Sequence, residues 1–134
     1  MIYALDTNII IHILTGNSSV RMRRDEVINN GDTIVIPPFV HFEIRRGFLY
    51  KSAPKKEAAY KILRSSYRVG EMTEESWECA ASVYANLRHA GYTVEDADLL
   101  IAAFCLVGGI TLVTDNIKHF INIPGLRVEN WVEY

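Results

Sequence analysis

Short apolar runs at Ile2–Leu5 and at residues 33–36, 110–114 and 126–128 are separated by longer stretches of helical pattern. That alternation, with few tight-turn signals between consecutive runs, constrains the chain more than any other feature. Strands that alternate with helices pair in parallel and need cover on both faces, so the fold class is α/β: a small parallel sheet flanked by helices. At 134 residues the chain has material for one domain, spanning 1–134. It contains no repeat, linker or low-complexity tract.

The helical stretches have readable limits. Residues 8–14 form a short apolar helix broken by Gly16-Asn17-Ser18, and residues 21–30 form a second, closed by Asn30-Gly31. Pro37-Pro38 ends the second strand and leads into helices at 39–50 and 55–66, and residues 67–69 can add a short strand. Thr73-Glu74-Glu75-Ser76 opens a long helix to about His89, with acids in its first turn, where the helix dipole favours them. Thr93-Val94-Glu95-Asp96 has the form of another helix start, capped by its threonine. Residues 97–107 are apolar on every side, so this helix is buried, and Gly108-Gly109 stops it. A short helix at 117–121 precedes the last strand.

No apolar run reaches the length of a membrane span, and MIYALDTN, with an acid at position six, lacks the basic start of a secretory leader. Cys79 and Cys105, in no metal-type spacing, read as reduced core thiols, which suits a cytoplasmic setting. The net charge of −2 excludes a generic polyanion binder, but it is unevenly spread. Residues 1–68 carry eleven Lys/Arg against six Asp/Glu, a net of +5; residues 69–134 carry three against ten, a net of −7. Arg45 and Arg46 belong to the basic half and are candidate contacts to a nucleic-acid backbone.

In an open α/β sheet, ligands bind beyond the carboxyl ends of the strands. Asp6 and Asp115 each follow a strand directly, Glu43 falls in the opening turns of the helix after the second strand, and Asp98 begins the buried helix. Acids from four distant segments therefore converge on one rim. Packed carboxylates cannot all ionise without a compensating cation. With no cluster of His or Cys nearby, the donors are oxygens, which suit Mg²⁺ or Mn²⁺ and phosphoryl-transfer chemistry. Each acid also has a structural role open to it: Asp96 and Asp98 as helix caps, Glu43 as a partner for Arg46. A phosphatase or receiver-type domain also gathers acids at such a rim, but those need a paired acid after the first strand, where this chain has Asp6-Thr7-Asn8.

Four segments together resemble a PIN-domain nuclease of the VapC toxin type. Leu5-Asp6-Thr7-Asn8, followed by isoleucines, resembles the opening D-T-N motif, and Glu43-Ile44-Arg45-Arg46-Gly47 resembles its E-L-x-x-G segment. Asp96-Ala97-Asp98-Leu99-Leu100-Ile101-Ala102-Ala103 resembles the D-x-x-I-A-A helix. Leu112-Val113-Thr114-Asp115-Asn116, then Phe120, Gly125-Leu126 and Trp131, resembles the closing strand and tail. The resemblance implies a PIN-like three-layer sandwich and a Mg²⁺- or Mn²⁺-dependent endoribonuclease that leaves 5′-phosphate and 3′-hydroxyl ends. Asp6, Glu43 and Asp98 would be its metal-binding acids, with Asp115 or Asn116 in fourth place and Thr7, Asn8, Asp96 and Thr114 in support. It further implies a VapB-like antitoxin partner and a homodimer, with the basic half holding RNA and Phe48, Tyr50 and Tyr60 available for stacking. His12, His41, His89 and His119 have no place in this scheme and are expected to be solvated or packed. A PIN-like module that binds RNA or protein without cutting is the competing expectation.

Overall fold

The computed structural model describes all 134 residues. Four strands, β1 (Ile2–Leu5), β2 (Thr33–Val35), β3 (Thr111–Val113) and β4 (Val128–Glu129), form one parallel sheet in the order β2-β1-β3-β4. Six helices flank it: α1 (Thr7–Leu14), α2 (Ser18–Asn29), α3 (Pro38–Tyr50), α4 (Pro54–Ser66), α5 (Glu74–His89) and α6 (Asp96–Gly108). The α/β class and the parallel sheet between helices are as the alternating pattern requires.

Limits of the elements follow local chemistry. Gly16-Asn17-Ser18 does more than break α1: the Asn17 side chain accepts from the Val20 N–H at 3.1 Å and caps α2, which therefore begins at Ser18, three residues earlier than the pattern suggests. Residues 67–69 do not form a full strand. A single bridge joins Val69 to Ile36, held by Ile36 N–H to Arg68 O at 3.0 Å and Gly70 N–H to Ile36 O at 2.8 Å. The last strand lies at Val128–Glu129, shifted toward the C-terminus because Leu112 and Thr114 bond to the carbonyls of Arg127 and Glu129.

Helix α6 is apolar all round because it lies between two partners. Ile101, Ala102, Phe104 and Cys105 join the main core with Leu5, Ile9, Leu112 and Val113, while Leu99 and Ala103 pack with Ala80 of α5. Gly109 ends it in the left-handed region (φ 63°), where a side chain would strain the backbone. Cys105 is buried and Cys79 partly so, both as free thiols. No helix is long and apolar enough to cross a membrane.

The strand order has one functional consequence. The chain leaves β1 toward β2 on one side and leaves β3 toward β4 on the other, so the order reverses between β1 and β3. A crevice opens beyond the carboxyl ends of strands at such a switch point. Asp6 and Thr114 are the residues that follow those two strands.

Candidate active site

Asp6 caps α1, and its backbone N–H is itself tied across the switch point to Val113 O at 2.9 Å. The residue is buried, at 6% exposure. One carboxylate oxygen accepts from the Thr7 N–H at 2.8 Å; the other accepts from the Thr114 hydroxyl at 2.8 Å and the Asn8 amide at 3.3 Å. Burial raises this carboxyl above its ordinary 3.8, the hydrogen bonds from Thr114, Thr7 and Asn8 oppose that, and the charge of Asp115 adds to it.

Asn8 and Thr114 bind the two strand ends into one network. The Asn8 side-chain oxygen accepts from the Asp115 N–H at 3.2 Å, and the Thr114 hydroxyl oxygen accepts from the Asn116 N–H at 3.1 Å. Thr7, the first residue of α1, donates its hydroxyl to Glu43 Oε1 at 2.8 Å, which fixes α3 against the start of α1. The other Glu43 oxygen lies 3.6 Å from Arg46, so the structural pairing open to Glu43 forms beside the link to the rim.

Asp98 stands in the first turn of α6 and its side chain is 17% exposed. Its carboxyl is raised first by burial; the neighbouring His119 lowers it, and the charges of Asp6 and Glu95 raise it. Burial thus acts against the charged form of both Asp6 and Asp98, and in each a neighbouring acid adds a smaller contribution in the same direction. Asp115 Oδ2 lies 3.2 Å from His12 Nε2, and His119 Nδ1 lies 3.1 Å from Asp98 Oδ2.

The four acids, together with Thr7, Asn8 and Thr114, thus meet on one rim. Asp96 is exposed at the first position of α6 and does not cap it. The cap residue is Glu95, without a side-chain bond, and Thr93 plays no part, because the helix begins later than the Thr-x-x-Asp pattern suggests. Asn116 is exposed with no side-chain hydrogen bond, whereas Asp115 is near enough for its charge to act on Asp6. Of the aromatic residues considered for stacking, Phe48 and Tyr60 are core at 9% and 2% exposure; Tyr50 is exposed.

Two histidines expected to be idle do touch the site. His12 was detectable in principle: it lies four residues after Asn8, on the same face of α1, and both residues bind Asp115. His119 reaches Asp98 from the end of a short 3-10 helix (Ile117–His119), which stands where the sequence suggests a helix at 117–121 but is only three residues long, so no periodicity marks it.

The donors are hard oxygens, and the Asp6 and Asp98 carboxyls are raised mainly by burial, with a smaller contribution from neighbouring acids. No group of three His, Cys, Asp or Glu side chains stands close enough together here to hold a metal ion. Mg²⁺ keeps several waters and takes one or two protein carboxylates, so the buried Asp6 and the partly buried Asp98 are the carboxylates of this rim that suit it.

Residues 3–126 match the PIN domain family. The chain belongs to the PIN-domain family. Within it, the chain is 33% identical over 134 residues to Ribonuclease VapC2 of Rickettsia felis, with 98% of each chain covered. It is 28% identical to Ribonuclease VapC19 of Mycobacterium tuberculosis, covering 92% of this chain and 95% of that one. The fold superposes on the VapBC2 structure from Rickettsia felis, solved with a promoter DNA fragment, with a TM-score of 0.91 at 29% identity, covering 98% of this chain and 100% of that one. For VapBC-1 of nontypeable Haemophilus influenzae the TM-score is 0.87 at 25% identity, with 99% and 100% covered. This is a PIN domain of the VapC type, with the three-layer architecture of that group.

Proposed function

We propose that this PIN domain is the ribonuclease toxin of a toxin–antitoxin pair and hydrolyses RNA phosphodiesters with Mg²⁺ or Mn²⁺. The observation that carries the reading is the meeting of Asp6, Asp98 and Asp115 at the switch point, with Glu43 drawn in through Thr7. The naming of its relatives as VapC ribonucleases supports the reaction class, and the VapBC complexes among its structural neighbours support an antitoxin partner.

Asp6 and Asp98 would hold the ion directly, with Glu43 and Asp115 acting on its waters. When bound, the ion supplies charge neutralisation at the phosphoryl oxygens and a water acidic enough to attack at neutral pH. The side chains of this chain prepare that reaction. Thr114 and Asn8 fix one Asp6 oxygen, Thr7 N–H fixes the other, and the Thr7 hydroxyl turns Glu43 to the rim. Burial keeps bulk water from screening the acids, so they act strongly on a cation. In-line attack by water on phosphorus, with departure of the 3′ oxygen, leaves a 5′-phosphate and a 3′-hydroxyl. We further propose that the chain works as a homodimer in the cytoplasm.

The test is incubation of purified protein with a mixed structured RNA in Mn²⁺, in Mg²⁺ and in EDTA, beside Asp6→Asn and Asp98→Asn. Cleavage is expected in both metals, absent in EDTA and lost in both variants. Cleavage in EDTA would overturn the metal requirement, and cleavage by both variants would overturn the site. Intact RNA throughout, with no Mn²⁺ binding by calorimetry, would overturn the whole reading.

A further inference from the structure

Helix α3 carries more than one acid of the rim. At about 100° per residue, and taking Glu43 as origin, Arg46, Phe42, Arg45 and His41 follow at about 60°, 100°, 160° and 200° in one rotational direction. Val40, Ile44 and Phe48, all buried, fill the opposite arc. A continuous surface therefore runs round the exposed side of α3, from the acid rim to the face that meets α4.

Along that surface the Arg46 guanidinium lies over the Phe42 ring at 5.1 Å, and Phe42 is half exposed. At its far end, Arg45, Glu57, Tyr60, Lys61 and Arg64 line a cavity of about 320 Å³ between α3 and α4. Glu57 binds Arg45 at 2.6 Å, which leaves Lys61 and Arg64 with no ion-pair partner. The cavity is net positive by the three cations against one carboxylate. The floor is fixed: Tyr60 is 2% exposed and its hydroxyl is 2.7 Å from His41 Nδ1. His41 is lowered by burial and further by Arg64 and Arg45, consistent with positive charge that the protein itself does not neutralise.

We propose that the α3–α4 cavity, through Arg45, Lys61 and Arg64, holds a backbone phosphate of the RNA whose scissile bond lies at the acid rim. The half-exposed Phe42, backed by Arg46, offers a base-stacking surface on the way between them. The inference rests on the nuclease reading and adds where the substrate strand is gripped. RNA fits better than an acidic peptide, because one helix joins the cations, an aromatic ring and the acid rim, and a strand of alternating phosphates and bases meets all three.

The test is binding of a fluorescein-labelled, mixed-sequence single-stranded RNA in EDTA at several salt concentrations, by anisotropy. Proteins compared are the parent, Lys61→Gln/Arg64→Gln, the single variants Lys61→Gln and Arg64→Gln, and Arg88→Gln at the end of α5, which removes one positive charge far from the cavity and is the control for each single variant. The double variant is expected to bind about tenfold more weakly, with a salt dependence shallower by about one phosphate contact, while Arg88→Gln binds as the parent does. In Mn²⁺ its cleavage should show a raised KM with kcat within about twofold. Equal RNA binding by the double variant and the parent overturns the proposal. So does loss of binding to poly-glutamate with RNA binding retained, which would mark a protein contact. Both Lys61 and Arg64 are exposed, so folding is not at stake. Because binding is read in EDTA, a failure here is separate from a failure of cleavage.

Discussion

Helices α5 and α6 lie packed together, yet their N-termini solve the same problem in opposite ways. At α5, Thr73 and Ser76 form a reciprocal capping box, with Ser76 N–H to Thr73 Oγ1 at 3.1 Å and Thr73 N–H to Ser76 Oγ at 3.3 Å. The acids of its first turn, Glu74 and Glu75, face water. At α6 the cap residue Glu95 makes no side-chain bond, and the first-turn acid Asp98 is partly buried beside His119, within reach of the charge of Asp6. The first arrangement satisfies donors and lets charge stay hydrated, so it favours the fold. The second forgoes a cap and holds a carboxylate among other acids, a cost borne where a cation is to be bound. The difference separates an acid that stabilises a helix from one that serves a site.

Exchanging the two starts by mutation breaks or sharpens this contrast. The largest effect is expected from Asp98→Asn, which should lower kcat/KM for RNA at least about 100-fold while leaving the metal-free fold as stable or more so. A large loss of stability would mean that Asp98 is a cap after all. Next, Mn²⁺ at about 100 times its Kd should stabilise the parent by about 2.7 kcal/mol, and Asp6→Asn should abolish that gain in a thermal melt. Thr73→Ala should cost about 1 kcal/mol, lowering Tm by about 4 °C with kcat unchanged, since that cap lies outside the chemistry.

A smaller effect comes with pH. Asp6 and Asp98 have carboxyls raised above 3.8, so in the folded protein they keep their protons to higher pH than in the unfolded chain. The stability this confers is complete below 3.8 and is lost as pH rises through their folded values. The Tm of metal-free Asp98→Asn should therefore gain on the parent as pH climbs from about 4 to about 7; a constant difference would show that the acid is not held against its charge. Smallest of all, Glu75→Gln should cost only about 0.5 kcal/mol through the helix dipole and leave cleavage untouched.

The sequence by itself determined the architecture and most of the rim. Short apolar runs between helical stretches force parallel pairing, because a half-hydrophobic crossover helix must cover the sheet that it connects. Asp6 and Asp115 were legible because Asp6 follows β1 directly and Asp115 comes within two residues of the end of β3, and α/β topology leaves such residues at one edge. Asp98 was legible because an acid begins a helix that is otherwise apolar on every side. Tertiary structure alone decided the rest. Only the packing of α1 against α3 brings the Thr7 hydroxyl to Glu43, thirty-six residues away. Only the packing of the short 3-10 helix Ile117–His119 brings His119 to Asp98, because three residues are too few for a periodicity from which a contact can be read. Burial sorted the aromatics as well: Tyr60 and Phe48 went into the core while Phe42, four residues from Arg46, stayed in the open. Periodicity assigns a residue to a face of its own helix; what lies against that face depends on distant parts of the chain.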